Sequence, residues 1–313
     1  MNQPLPPITE PPDESGDTAR RDRRAVRFAY VTLFLGIVGI AFSPIFVRFS
    51  ELDPTATAFH RVFLALPALW IWMWSRGRGN GATRKPRTAY DYGRLILVGF
   101  LFAGDLIFWH WSLRYTSVAN AVLLANFAPI FVTFGSFALF GERFGLTFLM
   151  GVALSIGGGA ILVGDSFSLG LDNVLGDAFG LVTAMFYGAY ILAVSNVRAE
   201  FSTATVMGWS SAASAVILLP VTLMMGEDLI ATTLYGWGIL VGLALVSHVA
   251  GQGFLAHSLA HLPAPFTSVA LLLQPAISIV LAWVILAEPL GGWQALGVAV
   301  ILAGVVFARL GSR

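Results

Sequence analysis

Ten stretches of this chain each run for about 20 residues with almost no charge, and no other feature limits the possible folds so strongly. An α-helix rises 1.5 Å per residue, so about 20 apolar residues cross a hydrocarbon core about 30 Å thick. Within that core every backbone N–H and C=O must find its partner inside the protein, which favours helices over open strands. The runs lie near 26–47, 56–75, 94–113, 117–140, 145–164, 174–195, 203–225, 234–257, 264–286 and 291–309. Turn formers separate them: Asp53-Pro54, the run from Arg76 to Pro86, Gly141, Gly170, Gly226, Pro263 and Pro289-Leu290-Gly291-Gly292. The 313 residues are 57% hydrophobic and 11% charged, with a mean hydropathy of +0.79. A water-soluble domain of this length could not clothe itself from so few charges. The expected class is an all-α integral membrane protein of ten transmembrane helices.

Residues 1–25 hold five prolines and many charges but no apolar run, and they read as a disordered cytoplasmic tail. The run that starts near Val26 is long enough to span and is followed by no small-residue cleavage site, so it reads as the first helix rather than a cleaved signal. The net charge of +1 comes with basic residues set beside apolar spans, not in an aromatic-interleaved patch, which excludes nucleic acid as a partner. The absence of cysteine excludes disulfides, thiolate metal sites and thiol redox chemistry. With the N-terminus inside, 15 of the 18 Lys and Arg residues fall on the cytoplasmic side. The other side keeps Arg48 and Arg114 and holds the acidic loops Glu51/Asp53, Asp165/Asp172 and Glu227/Asp228, while Arg61 lies within a span. Both termini are thus expected in the cytoplasm, with the chain in a bacterial inner membrane.

Sliding the chain against itself by 146 residues brings Pro129 onto Pro275, Glu142 onto Glu288, Gly145 onto Gly291, Gly151 onto Gly297 and Gly158 onto Gly304, without a gap. Earlier in each half, Thr55-Ala56-Thr57 is echoed by Thr203-Ala204-Thr205. Each half, 26–164 and 174–309, holds five spans, and an odd number turns the second half upside down relative to the first. Such inverted repeats let two halves alternate around a midplane site, the plan of many secondary transporters.

The segments YTSVANAVLLANFAPIFVTFGSFALFGERFG and TSVALLLQPAISIVLAWVILAEPLGGWQALG, each with a Pro followed thirteen residues later by Glu and then a glycine-studded helix, resemble the drug/metabolite transporter superfamily in its EamA type. Phe59-His60-Arg61 is similar to that family's second-helix arginine signature, and the likeness covers roughly residues 28–308. The resemblance implies secondary transport of a small organic solute such as an amino acid, metabolite or drug-like compound, held in a central cavity and often exported. Without a nucleotide fold, uphill transport is expected to draw on protons or a counter-solute, with no cofactor and no enzymatic step. The same scaffold run inward for a vitamin or nucleotide-like solute is the alternative. An intramembrane enzyme acting on lipid-linked substrates would need a compact catalytic cluster at one membrane face, which the scattered ionisable residues do not form.

Ionisable residues inside spans are costly, about 2.5–3.5 kcal/mol each on insertion scales, and therefore mark sites. By helical rise Arg61 and Asp105 differ in depth by about 6 Å, within an arginine's reach, with His110 near the level of Arg61. The three form either a substrate-orienting or proton-coupled cluster, or a structural ion pair between neighbouring helices. Asn126 and Gln274 are mid-span amides beside Pro129 and Pro275, suited to an uncharged or zwitterionic solute or to hydrogen bonds between helices. Trp109, Tyr187 and Tyr190 are aromatic candidates for lining an amphipathic cavity, with lipid-facing or interfacial positions as the alternative. Glu142 and Glu288 are expected to fix turns by meeting free backbone donors at helix N-termini. His248, His257 and His261 lack further ligands at suitable spacing, so no metal site is expected. Gly157-Gly158-Gly159 lacks the Gly-Lys-Ser/Thr of a phosphate loop and reads as close helix packing.

Overall fold

The computed structural model describes residues 14–76, 83–116, 118–163, 173–286 and 292–312. Glu288, Pro289, Gly291, Gly170, Asp165 and Asp172 lie outside them. Among the described residues, nine helices are long and apolar enough to cross a bilayer and a tenth is shorter. In chain order they are α1 (Arg23–Phe49), α2 (Pro54–Ser75), α3 (Ala89–Ser112), α4 (Asn120–Phe140), α5 (Leu146–Leu162), α6 (Val174–Arg198), α7 (Thr203–Met225), α8 (Leu234–Ser258), α9 (Ala264–Ile285) and α10 (Gly292–Gly311). The helical run of α1 begins at Glu14, inside the stretch whose composition reads as disordered.

The two halves pack as a two-fold pair. In α5 and α10, Gly151 meets Gly304 and Ala308, while Gly158 meets Gly297 and Ile301. Rising residue numbers on one helix meet falling numbers on the other, so the pair is antiparallel. Gly151 and Gly297 are repeat equivalents, as are Gly158 and Gly304; the two contacts are therefore images of one another. The same relation holds in the interior, where Gly104 of α3 lies against Phe186 of α6 and Gly251 of α8 lies against Ile40 of α1. An axis that exchanges antiparallel helices runs perpendicular to them, in the plane of the membrane, which is the inverted arrangement.

Small residues make these approaches possible, since the backbones touch where a Cβ would collide. One continuous core runs through α1, α2, α3, α6, α7 and α8, including Leu33, Val62, Val98, Ile191, Met207 and Leu255. Large apolar side chains such as Phe34, Phe134, Leu139, Val216 and Val284 point outward. In water such a surface would be an aggregation hazard; here it faces lipid.

Several spans are broken near their middle. Phe42, Leu64-Ala65, Asn126-Phe127 and Leu271-Leu272 interrupt α1, α2, α4 and α9, and Pro44, Pro67, Pro129 and Pro275 follow within a turn. A proline lacks the N–H for the carbonyl four residues back and clashes with it. The centre of α8 is instead wound as a π-helix, Leu243–Gln252, a wider winding found most often at functional sites. Gly141 and Gly226 end α4 and α7 at φ 69° and 70°, a left-handed conformation that glycine adopts without steric cost.

Candidate functional site

Arg61 lies one turn before the break in α2 and is 8% exposed. Its Nη1 donates to Ser43 Oγ at 3.1 Å, just past the break in α1. Its guanidinium sits 5.7 Å from the centre of the Phe102 ring of α3. Nε is buried with no hydrogen-bond acceptor among the described residues. Asp105, one turn along α3 from Phe102, feels the Arg61 charge. No ion pair within 4.0 Å joins the two, and Asp105 makes no hydrogen bond among the described residues. Their similar depth, computed from helical rise, leaves open the direction each side chain takes around its helix, and that direction keeps them apart. The structural ion pair is thus absent from this conformation, although the two charges share one interior.

Aromatic rings close the space around the arginine. Phe102 packs on Tyr190 of α6 at 5.0 Å and on His248 of α8 at 5.4 Å between ring centres. Tyr187 stacks on Tyr190 at 5.9 Å. The Tyr190 hydroxyl donates to Gln252 Oε1 at 3.3 Å, and the Tyr187 hydroxyl borders the same amide. His248 Nε2 and Ser211 Oγ of α7 share a hydrogen bond of 2.8 Å. Ser43, Arg61, Phe102, Asp105, Tyr187, Tyr190, Ser211, His248 and Gln252 therefore form one polar and aromatic cluster, drawn from both halves.

The other sequence candidates make none of these contacts among the described residues, although His110, like Asp105, lies within range of the Arg61 charge. His110 turns Nδ1 to the Leu106 carbonyl of its own helix at 2.5 Å, with its ring 5.0 Å from that of Trp109. Asn126 sits in the break of α4 beside Gly159 of α5. Gln274 follows the break in α9, and no hydrogen bond joins either amide to the Arg61 cluster among the described residues. The exposed Glu142 carboxylate meets no described donor, because it stands four residues ahead of the first helical residue of α5; Gly141 makes that turn.

Gln252, Ser43 and Ser211 went unnoticed in the sequence. Gln252 had a signal, since Ala103-Gly104-Asp105 and Ala250-Gly251-Gln252 match at an offset of 147. Each glycine lets its helix press against the first helix of the other half, and each places a polar side chain beside Tyr187. Asp105 and Gln252 are thus two-fold partners, one charged and one neutral.

Two inverted halves of membrane-spanning helices, several of them broken around buried polar residues, define the class: a multi-pass membrane protein on the inverted-repeat plan that many transporters use. The EamA-like transporter family model matches residues 27–164 and 174–310. The chain belongs to that family, within the drug/metabolite transporter superfamily. It is similar to the pseudopaline exporter CntI of Pseudomonas aeruginosa, 26% identical over 175 residues, which are 56% of this chain and 60% of that protein. The chain thus spans somewhat under two thirds of that exporter's length. It is also similar to an uncharacterized transporter of Archaeoglobus fulgidus, 26% identical over 296 residues, with 88% of this chain and 95% of that protein covered. A solved crystal structure with a TM-score of 0.77 and 20% identity covers 92% of this chain and 99% of its own, a likeness of fold.

Proposed function

We propose that this transporter moves a small zwitterionic or anionic organic solute, amino-acid-like in its head group, across the inner membrane by alternating access, and that it works as an exporter. The observation that carries the reading is Arg61: a buried cation in the membrane interior, held by a neutral serine and a ring, with Nε unfilled and no carboxylate within ion-pair range among the described residues. A charge in that position is expensive unless an anion meets it. A solute carboxylate on Arg61 and a solute ammonium toward Asp105 would satisfy both. The Tyr187, Tyr190, His248 and Gln252 side chains would meet the rest of the molecule. Uphill movement then draws on protons or a counter-solute, and both termini lie in the cytoplasm. Export is supported by the name of the pseudomonad relative, which belongs to that protein.

The test is counterflow in proteoliposomes with a panel of labelled amino acids, carboxylates and amines, beside a growth screen against toxic analogues. Wild-type counterflow by zwitterions or carboxylates, lost in Arg61→Ala, is the expected result. Growth protection by the same variant set establishes export. Counterflow by amines alone, or full activity in Arg61→Ala, overturns the proposal.

A further inference from the structure

Two glutamates hold the halves together at opposite ends of the molecule, and they occupy equivalent places in the repeat. Glu51 stands two residues before Asp53, the N-cap of α2; Glu200 stands two residues before Ser202, the N-cap of α7. Each reaches across to the start of the third helix of the other half. The Glu51 carboxylate accepts hydrogen bonds from the backbone N–H of Thr232 at 2.9 Å and of Thr233 at 3.2 Å, and from the hydroxyls of both. Thr233 is the N-cap of α8. The Glu200 carboxylate accepts from Arg94 Nη1 at 2.7 Å and Arg84 Nη2 at 2.5 Å. Those arginines flank Thr88, the N-cap of α3. Arg84 also clasps Asp91 with both terminal nitrogens, at 2.7 and 2.6 Å, and its backbone N–H bonds the Glu200 carbonyl at 3.0 Å.

A two-fold device in an inverted repeat acts on opposite faces. We infer that Glu51 and Glu200 are the positioning residues of the transport cycle: each is the latch of one face, and opening one requires the other to stay shut. The inference rests on the alternating-access reading above. Among the described residues no hydrogen bond or ion pair joins the central cluster to either glutamate, so the latches act through the helices they tie, α8 at one end and α3 at the other. These are the helices that carry Gln252 and Asp105 into the interior.

The latches differ in chemistry. The Glu51 latch uses neutral donors, and its fit depends on Gly236, where a Cβ would run into the carboxyl group. The Glu200 latch is an exposed ionic network, which salt screens. Raising ionic strength therefore favours opening at the Glu200 end.

The test is hydrogen–deuterium exchange on the full chain in lipid nanodiscs, read over 84–95 and 198–206 at one end and 50–57 and 230–238 at the other. In Glu200→Gln, exchange at the Glu200 end is expected to rise about fivefold while the Glu51 end becomes slower than wild type. Glu51→Gln and Gly236→Ala are expected to give the reverse pattern, and Arg94→Gln to reproduce Glu200→Gln. Glu200→Asp, which keeps the charge, restores most of the wild-type pattern. Loosening confined to the altered end would make the glutamates static straps and overturn the inference, as would loosening at both ends together. Reciprocal exchange in a chain without counterflow would refute the transport reading alone, and counterflow without reciprocal exchange would refute the latches alone.

Discussion

The α5–α10 seam offers the sharpest test of the two-fold packing. A Cβ at Gly151 runs into the Ala308 backbone nitrogen and the Gly304 carbonyl; at Gly304 it meets the Ser155 backbone and hydroxyl and the Gly151 carbonyl. Its images behave alike, Gly158 against Ile301 and the Gly297 carbonyl, and Gly297 against the Leu162 backbone and the Gly158 carbonyl. Because the obstacles include backbone, the helices must separate rather than let one side chain rotate. Overpacking of this kind costs about 1–3 kcal/mol, and backbone contact puts it near the upper end. Alanine recovers about 1 kcal/mol of helix propensity over glycine. The net expectation is about 2 kcal/mol for each glycine changed to alanine, a factor of about 30 in the unfolding equilibrium. Gly151→Ala with Gly304→Ala should cost less than the sum, since the first change already parts the helices. Gly151→Ala with Gly158→Ala should add, because seven residues separate the sites by about 10 Å. Reversible denaturation in mixed micelles, followed by tryptophan fluorescence, measures all four singles and the doubles. Costs below about 0.5 kcal/mol at all four positions would refute the reasoning.

Three further predictions concern other contacts. Gln252→Leu takes the acceptor from the buried Tyr190 hydroxyl and should cost about 1–3 kcal/mol, part of it regained in the double variant with Tyr190→Phe, since Tyr187 loses the same amide; a denaturation double-mutant cycle measures the coupling. Arg198 donates from Nε to the Ala256 carbonyl at 3.0 Å and from Nη1 to the Phe201 carbonyl, pinning the α6–α7 turn onto α8. Arg198→Met should therefore lower the melting temperature of the purified protein and speed proteolysis at that turn. Arg94, then Arg84, hold the Glu200 carboxyl below its ordinary value, and hydrogen bonds led by the Thr233 hydroxyl do the same for Glu51. A depressed pKa gives a contribution that is whole above the free value of about 4.3 and lost as pH falls through the depressed one. The groups facing Glu200 are Arg84 and Arg94, with Asp91 behind Arg84. Protection against exchange, with the intrinsic pH dependence of amide exchange divided out, should stay level at both ends from pH 7 to 5; a loss of protection centred near pH 6 would contradict this.

Much of the architecture was legible because lipid permits so few solutions. Span length follows from bilayer thickness, and Pro129, Pro275, Gly151 and Gly297 recur because a break or a backbone contact tolerates few other residues. Arg61 and Asp105 also announced themselves, since charge inside a span is rare. Which atoms they meet was not legible. Helical rise gives depth but not the direction a side chain takes around its helix, so the serine on Arg61 and the gap to Asp105 could not be read. The π-helical stretch of α8 has no composition of its own, and it decides where His248 and Gln252 stand. At Glu142 the repeat marks a turn in which the backbone carries the bonds, Gly141 left-handed and the Glu142 N–H on the Ser136 carbonyl.

The pairing of Asp105 with Gln252 has a consequence for how such a frame can hold charge. In a symmetric dimer of two separate half-length chains, a residue facing the axis meets its own copy, and an aspartate there would confront a second aspartate. Two carboxylates sharing a dry interior repel, and one must take up a proton. Joining the halves in one polypeptide frees the second position to become an amide of similar shape. The backbone keeps its two-fold design while the charge pattern acquires a direction, so a solute with unlike ends can meet a different group at each.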